Sequence, residues 1–304
     1  MEKSTKWHSS GISDRTNYFC YIHKEAVKFN LCKLFADDCK LYGLTDDGAN
    51  KIQMDLYSLE EWSRTWQLPF NASKCKVLHF GNQNHGQEYI LDNQQLNSSD
   101  SEKDLGIIMD TSLKFHLQTA AAVKKANQVL GILKKTYYTR DAKTIACLYK
   151  AMVRPHLEYG NTIWGPFYKG DIKLVESVQR RATKIIPELR DKPYEERLRK
   201  LRLPSLTHRR RRGDMIQMYK VVKGIVRIDM SKFFSLSPLS HTRGHSFKMF
   251  RSHAVKVPRT NSFSQRVIKD WNCLPSKIVN APTLDYFKAL LDEHWISIQY
   301  DITE

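Results

Sequence analysis

A short stretch, Leu31 to Tyr42, places two adjacent carboxylates between two apolar arms. Each arm has the length of a strand and is rich in Leu, Phe and Tyr, which predicts a tight β-hairpin with Asp37 and Asp38 at its tip. Neighbouring carboxylates repel each other, and hard cations such as Mg²⁺ offset that repulsion because they prefer oxygen ligands. A polar turn without a metal is the alternative, since Asp is a common turn residue.

The positive charge of the chain is concentrated in its middle third. The whole chain has 49 Lys and Arg against 32 Asp and Glu, a net charge of +17. Residues 1–115 hold 13 basic and 16 acidic side chains, residues 116–230 hold 26 and 10, and residues 231–304 hold 10 and 6. Phosphates release counterions when Lys and Arg replace them, so this segregation predicts a polyanionic partner.

Targeting segments and disulfides are not indicated by the sequence. No apolar run approaches the roughly 20 residues that span a bilayer, and the first ten residues lack the apolar core of a secretory signal. The six cysteines are scattered without a Cys-x-x-Cys pair, which is typical of reduced intracellular thiols. We therefore expect an intracellular protein, in the cytoplasm, the nucleus or both, with no membrane partner.

Apolar residues at helical spacing predict that residues 116–230 are helical, with basic outer faces. One helix begins at His116, a second runs over 141–153 and stops before Pro155, and a third runs over 171–186. The cations expected to face outward and to bind nucleic acid are Lys124, Lys125, Lys134, Lys135, Arg180, Arg181 and Lys184. The aromatic loop 164–168 between the helices fits packing better than base stacking.

The densest run of charge is Arg209, Arg210, Arg211 and Arg212, inside a helix predicted over 206–223 with Gly224 as its C-cap. Contact with a nucleic-acid backbone and a nuclear-import signal are both open interpretations of this run. A solvated basic turn is the third. After Gly224 we expect a linker and a loosely attached C-terminal segment, with His245 and the other histidines there on the surface.

A series of motifs in order along the chain carries a family resemblance. The first is Phe35-Ala36-Asp37-Asp38 between Leu-rich arms, and the series extends from about residue 25 to the C-terminus. The motifs that follow are Trp62-Ser63, Trp66-Gln67-Leu68, Ser73-Lys74-Cys75-Lys76, Glu102-Lys103-Asp104-Leu105-Gly106-Ile107, Val153-Arg154-Pro155-His156-Leu157-Glu158-Tyr159, Val178-Gln179-Arg180-Arg181-Ala182-Thr183-Lys184 and Arg211-Arg212-Gly213-Asp214. This series resembles the reverse transcriptases of non-LTR, LINE-type retrotransposons of the jockey-like and related branches.

The resemblance implies RNA-templated DNA synthesis, with an RNA template, a DNA primer or RNA–DNA hybrid, and dNTPs as partners. It implies that Asp37 and Asp38 are catalytic residues that bind Mg²⁺, or Mn²⁺ in its place, in the palm. It also implies that Lys74 is the palm lysine near the incoming triphosphate. A solvent-exposed lysine before a strand is the alternative interpretation of Lys74.

The family's palm needs a third metal-binding Asp on a strand upstream of the pair, and its fingers precede that strand. We expect neither in this chain, because Asp14 and the other early acids lie in no strand pattern. The expected function is therefore a polymerase fragment that is inactive alone. The alternative is a non-catalytic nucleic-acid-binding remnant or a domesticated gene product. A helical scaffold would fit residues 116–225 but would leave the Asp hairpin unexplained.

These patterns predict an α+β fold. Residues 1–24 are unassigned, and residues 25–115 form a truncated palm of short antiparallel strands plus a helix. Residues 116–230 form an all-α, thumb-like region, and residues 231–304 form a short C-terminal segment that contains helix.

Overall fold

The computed structural model describes residues 27, 29, 31–35, 38–44, 48–81, 84–238 and 244–301. The fold is α+β, as expected, with small strand pairs followed by many helices. The chain divides into two compact units, residues 1–102 and residues 103–304. The boundary predicted at residue 231 therefore falls inside a compact unit.

The first unit begins with the hairpin that the apolar arms predict. Strands β1 (Leu31–Phe35) and β2 (Asp38–Tyr42) pair in antiparallel register, with Phe35 opposite Asp38. The loop residues between the two strands, Asp37 among them, lie outside the described residues. The predicted helix follows as α1 (Gly48–Trp66), which buries Leu56 and Trp62.

The first four strands after α1 have two residues each. Strand β3 (Lys76–Val77) pairs in parallel with β6 (Asn97–Ser98), where the sequence predicted antiparallel strands. Between them β4 (Ile90–Leu91) and β5 (Gln94–Gln95) form an antiparallel hairpin.

Strand β7 (Ser101–Asp104) pairs with β8 (Ile107–Asp110), and helices follow for the rest of the chain. The main helices are α2 (His116–Thr136), α3 (Ala142–Leu148), α4 (Arg154–Glu158), α5 (Asn161–Trp164), α6 (Lys169–Thr183), α7 (Tyr194–Leu201), α8 (Leu206–Val222), α9 (Val257–Thr260), α10 (Phe263–Asn272), α11 (Ser276–Val279) and α12 (Leu284–His294). The predicted stripe of α2 is buried against α6 and its neighbours, as amphipathic spacing requires.

The expectation that a helix stops before Pro155 is wrong. A π-helical turn, Tyr149–Val153, joins α3 to α4, and Pro155 lies in the first turn of α4. Proline has no N–H to donate, but the first turn of a helix does not need that donor. The N–H of Arg154 donates to the carbonyl of Tyr149, five residues earlier, and this wider turn lets the chain continue as a helix.

The C-terminal segment is not loosely attached. Met215, Met218 and Tyr219 of α8 share a buried core with residues from α10 to α12. Trp271 and Phe287 are completely buried in that core, where burial of aromatic rings contributes most of the area removed from water. Half of α8 is thus covered by the segment that the sequence placed outside the helical region.

One histidine of this segment, His245, does not lie on the surface as the sequence predicted. His245 is buried, and its Nε2 lies 3.0 Å from the carbonyl oxygen of Trp271. Its imidazole packs edge-on to the indole of Trp271 at 5.8 Å between ring centroids. His245 is therefore a core residue, and the expectation of a surface position is wrong.

Candidate nucleic-acid interface

The carboxylate pair at the hairpin is described only in part. Asp38 is the first residue of β2 and its side chain is exposed. Within the described residues, no three His, Cys, Asp or Glu side chains lie together as a metal site would require. Asp38 alone does not make a Mg²⁺ or Mn²⁺ site, and the metal-binding role of Asp37 and Asp38 stays a prediction.

Two thiols lie in contact on one face of the same hairpin. The Sγ atoms of Cys32 and Cys39 are 3.5 Å apart. The hydrogen bond with Cys32, together with burial, raises the pKa of the Cys39 thiol far above its usual value. A thiol that does not ionise is a poor nucleophile, so Cys39 serves here as a packing residue of the hairpin.

Lys74 lies at the end of a short 3₁₀ turn, Ala72–Lys74, directly before β3. Its N–H donates to the carbonyl of Asn71 at 3.0 Å, and its side chain is exposed. This geometry fits the alternative of an exposed lysine before a strand, and it leaves the ammonium free to meet a ligand. The role beside a triphosphate stays a prediction.

The first basic helix, α2, is fixed at its N-terminus by a buried carboxylate. Asp110 accepts hydrogen bonds from the N–H groups of Phe115 at 2.9 Å and Lys114 at 3.3 Å, and from the hydroxyl of Ser112. Burial alone would raise the pKa of Asp110, but these hydrogen bonds outweigh it and lower the pKa below its usual value. Asp110 thus favours the turn in which Phe115, with φ of 60°, leads into the helix.

The outer face of α2 carries the four predicted lysines. Lys124, Lys125, Lys134 and Lys135 are all exposed. Their neighbours on the buried face, Val123, Ala126, Leu130 and Leu133, pack into the core of this unit. No salt bridge is recorded for these lysines among the residues that the structure describes.

The second basic helix, α6, packs against α2 and is held on its inner face by a polar network. Glu176 accepts hydrogen bonds from the Tyr194 hydroxyl at 2.6 Å and the Leu206 N–H at 3.0 Å. Gln179 accepts from the hydroxyl of Tyr149 at 2.7 Å and donates to the carbonyl of Pro204 at 3.1 Å. Burial raises the pKa of Glu176, and the network satisfies its oxygens.

The outer face of α6 carries Arg180, Arg181 and Lys184, all exposed. The guanidinium of Arg180 lies over the ring of Tyr194 at 4.7 Å from its centroid. Arg181 donates to the hydroxyl of Ser177 at 3.2 Å, within the same helix. In the described part of the chain no carboxylate lies within salt-bridge distance of these three cations.

The arginine run of α8 has different surroundings. Arg209 holds Glu158 of α4 through two hydrogen bonds, with 3.0 Å between Nη2 and Oε2. Arg210 is buried, and its Nη2 donates to the hydroxyl of Thr207 at 3.0 Å. Burial lowers the pKa of Arg210 to about 10, although Glu176 and Asp214 act in the opposite direction.

Arg211 and Arg212 hold carboxylates of the C-terminal helices. Arg211 forms a fork with Asp270 of α10 at 2.9 and 3.0 Å. Arg212 forms a fork with Asp292 of α12, with 2.7 Å between Nη2 and Oδ2. Arg209, Arg211 and Arg212 therefore stabilise contacts between helices, while Arg210 is buried within α8. The run lies in a helix, so the solvated-turn interpretation is wrong. Contact with nucleic acid and nuclear import stay predictions for these arginines, but charges already paired within the fold favour a structural role.

One further arginine was missed by sequence reasoning. Arg266 of α10 forms a fork with Asp214 of α8 at 2.8 and 2.9 Å. It also donates to the carbonyls of Asn161 at 3.1 Å and Thr162 at 3.2 Å. These partners lie 52 to 105 residues away along the chain, so no local pattern could have identified them.

A sequence comparison bears on the class that the motif series indicates. The chain is related to the reverse transcriptases of non-LTR retrotransposons. Among curated proteins it is similar to the Drosophila melanogaster protein named "Probable RNA-directed DNA polymerase from transposon X-element". The two are 26% identical over 161 residues, which is 50% of this chain and 18% of the fly protein.

The match therefore spans less than a fifth of its relative. No protein-family model matches the chain, and no solved structure matches it. Across the described residues, no helix has both the length and the apolar composition needed to cross a membrane.

Proposed function

We propose that this chain is a reverse-transcriptase fragment that binds nucleic acid through one basic surface on α2 and α6. This α2–α6 surface consists of Lys124, Lys125, Lys134, Lys135, Arg180, Arg181 and Lys184. The observation that carries the proposal is that all seven are exposed on two helices packed together, with no recorded salt bridge among the described residues. Cations without carboxylate partners can replace the counterions of a phosphate backbone.

The partners we propose are an RNA template, a DNA primer or the RNA–DNA hybrid. A hybrid is close to A-form, and proteins recognise A-form helices mostly through backbone contacts and shape. The α2–α6 surface presents lysine and arginine charges and no ordered set of base-reading side chains. We therefore expect weak sequence preference, and we place the chain where such partners occur, in the cytoplasm or the nucleus.

Fluorescence anisotropy with labelled hybrid, single-stranded RNA and duplex DNA tests the proposal over a series of potassium chloride concentrations. The logarithm of the binding constant should fall linearly with the logarithm of salt concentration. A substitution of Lys124, Lys125, Lys134 and Lys135 to Ala should weaken binding to all three ligands alike. Binding that does not depend on salt would refute the proposal.

For catalysis, we propose that residues 1–304 alone do not extend a primer. Two-metal phosphoryl transfer needs cations fixed by carboxylates from separate strands, and the sequence offers the Asp37–Asp38 pair without a third acid in a strand pattern. The test is extension of a labelled primer on an RNA template with dNTPs and Mg²⁺ or Mn²⁺. Extension that disappears in an Asp37→Ala, Asp38→Ala control would overturn this proposal and favour an active polymerase.

A further inference from the structure

Three side-chain rings form a column at the surface where α2 and α6 begin. The rings of Phe167 and Tyr168 have centroids 4.6 Å apart with 36° between their planes. The imidazole of His116 continues the column at 4.8 Å from Tyr168 with 33° between planes. His116 is the first residue of α2 and Tyr168 directly precedes α6, so the two helices bring the rings together.

A carboxylate fixes the outer ring of the column. The Nδ1 of His116 lies 2.6 Å from Oδ2 of Asp171, whose side chain is 13% exposed. A carboxylate only accepts hydrogen bonds, so Nδ1 carries a proton. That assignment leaves Nε2 for another partner, and the described residues record none. The imidazole is 51% exposed, so it is held in place and yet accessible.

The same loop contains a ring that serves packing alone, and the contrast is informative. Trp164 is completely buried, and its Nε1 donates to the carbonyl of Tyr159. Phe167, Tyr168 and His116 are instead partly or largely exposed. The packing interpretation of the aromatic loop therefore holds for Trp164 and does not account for the column.

We propose that the column of His116, Tyr168 and Phe167 is a stacking site for an unpaired nucleobase. Bases stack on aromatic and imidazole rings without regard to sequence, and an exposed ring at the end of a preorganised column offers such a face. Lys114 and Lys169, close in sequence to the rings, are exposed and can meet the adjoining phosphates. This inference rests on the proposed nucleic-acid binding. It adds a contact with a nucleobase to the proposed contacts with the phosphate backbone.

The test compares two single strands of equal length, one with bases and one made entirely of abasic nucleotides. The wild-type chain should bind the base-bearing strand more tightly than the abasic strand, by about tenfold for one stacked base. A His116→Ala, Tyr168→Ala variant should lose that difference and keep its affinity for the abasic strand. His116→Phe, which keeps a ring but loses the Asp171 contact, should retain most of it.

Tyr286→Ala, which removes a half-exposed tyrosine of α12, is the matched control and should behave as the wild type does. Equal binding of both strands by the wild type, with a steep salt dependence, would overturn the stacking site and leave the α2–α6 surface standing. A preference for bases that survives in the His116→Ala, Tyr168→Ala variant would also overturn it. Failure of the wild type to bind either strand would refute the proposed function itself.

Discussion

Helix α2 carries four lysines and helix α8 carries a run of four arginines, and the two sets differ in what lies beside them. On α2, Lys124 and the three other lysines are exposed, and the described residues record no salt bridge for them. On α8, Arg209, Arg211 and Arg212 each hold a carboxylate from another helix, and Arg210 is buried. The same formal charge therefore has two uses within one compact unit.

The difference between arginine on α8 and lysine on α2 fits their different surroundings. The guanidinium presents a planar fork that matches a carboxylate through two parallel hydrogen bonds, and all three paired arginines of α8 use it. The ammonium of lysine is a compact, well-hydrated charge on a flexible stem, which suits contact with a mobile phosphate backbone. Charge neutralised within the fold contributes stability, whereas unpaired charge remains for a partner.

The largest loss of stability should come from substitution of Arg266, which joins α10 to α8. Arg266→Ala leaves the buried carboxylate of Asp214 without its fork and removes one donor each from the carbonyls of Asn161 and Thr162. Removing one partner of a buried pair costs about 3 kcal/mol of unfolding free energy. Urea unfolding followed by circular dichroism measures this loss. Lys125→Ala is the matched surface control and should stay within about 0.5 kcal/mol of wild type.

Arg209 and Glu158 should show a smaller effect because their side chains are partly exposed. We expect Arg209→Ala to lose about 2 kcal/mol of unfolding free energy, since Glu158 loses the fork and keeps only its longer contact with Arg154, 3.6 Å between Nε and Oε2. A double-mutant cycle with Glu158→Gln should give a coupling of about 1 kcal/mol or more. Additive effects of the two substitutions would show that the pair contributes nothing to the fold.

The attachment of α2 should depend on pH through Asp110. Its pKa is lowered in the fold, so its contribution is present above the unfolded pKa of about 4 and is lost as pH falls through the lower folded value. We expect Asp110→Asn to lower the unfolding free energy by about 1 kcal/mol near neutral pH. On acidification the stability of this variant should fall by less than that of the wild type, because it has no carboxylate to protonate at this position. Thermal unfolding at several pH values measures both. Asp191→Asn, at an exposed aspartate, should follow the wild-type curve.

The parts of the fold that could be predicted depend on local pattern. The β1–β2 hairpin, α1, the stripe of α2 and the cap of α12 by Thr283 all follow from residues close together in sequence. The attachment of residues 231–304 could not be predicted, because it depends on contacts between α8 and helices that are 50 or more residues away.

The candidate interface likewise has features that follow from local pattern and features that depend on distant residues. Periodicity correctly placed Lys124 and Arg180 on outer faces, and the same reasoning could have found the burial of Arg210, which shares the apolar stripe of Leu206 and Met218. The partners of Arg209, Arg211 and Arg212 lie 51, 59 and 80 residues away. A run of arginines in a sequence does not reveal which carboxylates the fold will bring to it.

The most direct test of the account measures the salt dependence of binding to an RNA–DNA hybrid in two matched variants. One variant replaces Lys124, Lys125, Lys134 and Lys135 with Ala, and the other replaces Arg211 and Arg212 with Ala, both checked for folding by circular dichroism. The lysine variant should reduce the slope of the logarithm of the binding constant against the logarithm of salt by about 3. The arginine variant should leave the slope unchanged. A slope that falls in the arginine variant and stays constant in the lysine variant would contradict the account.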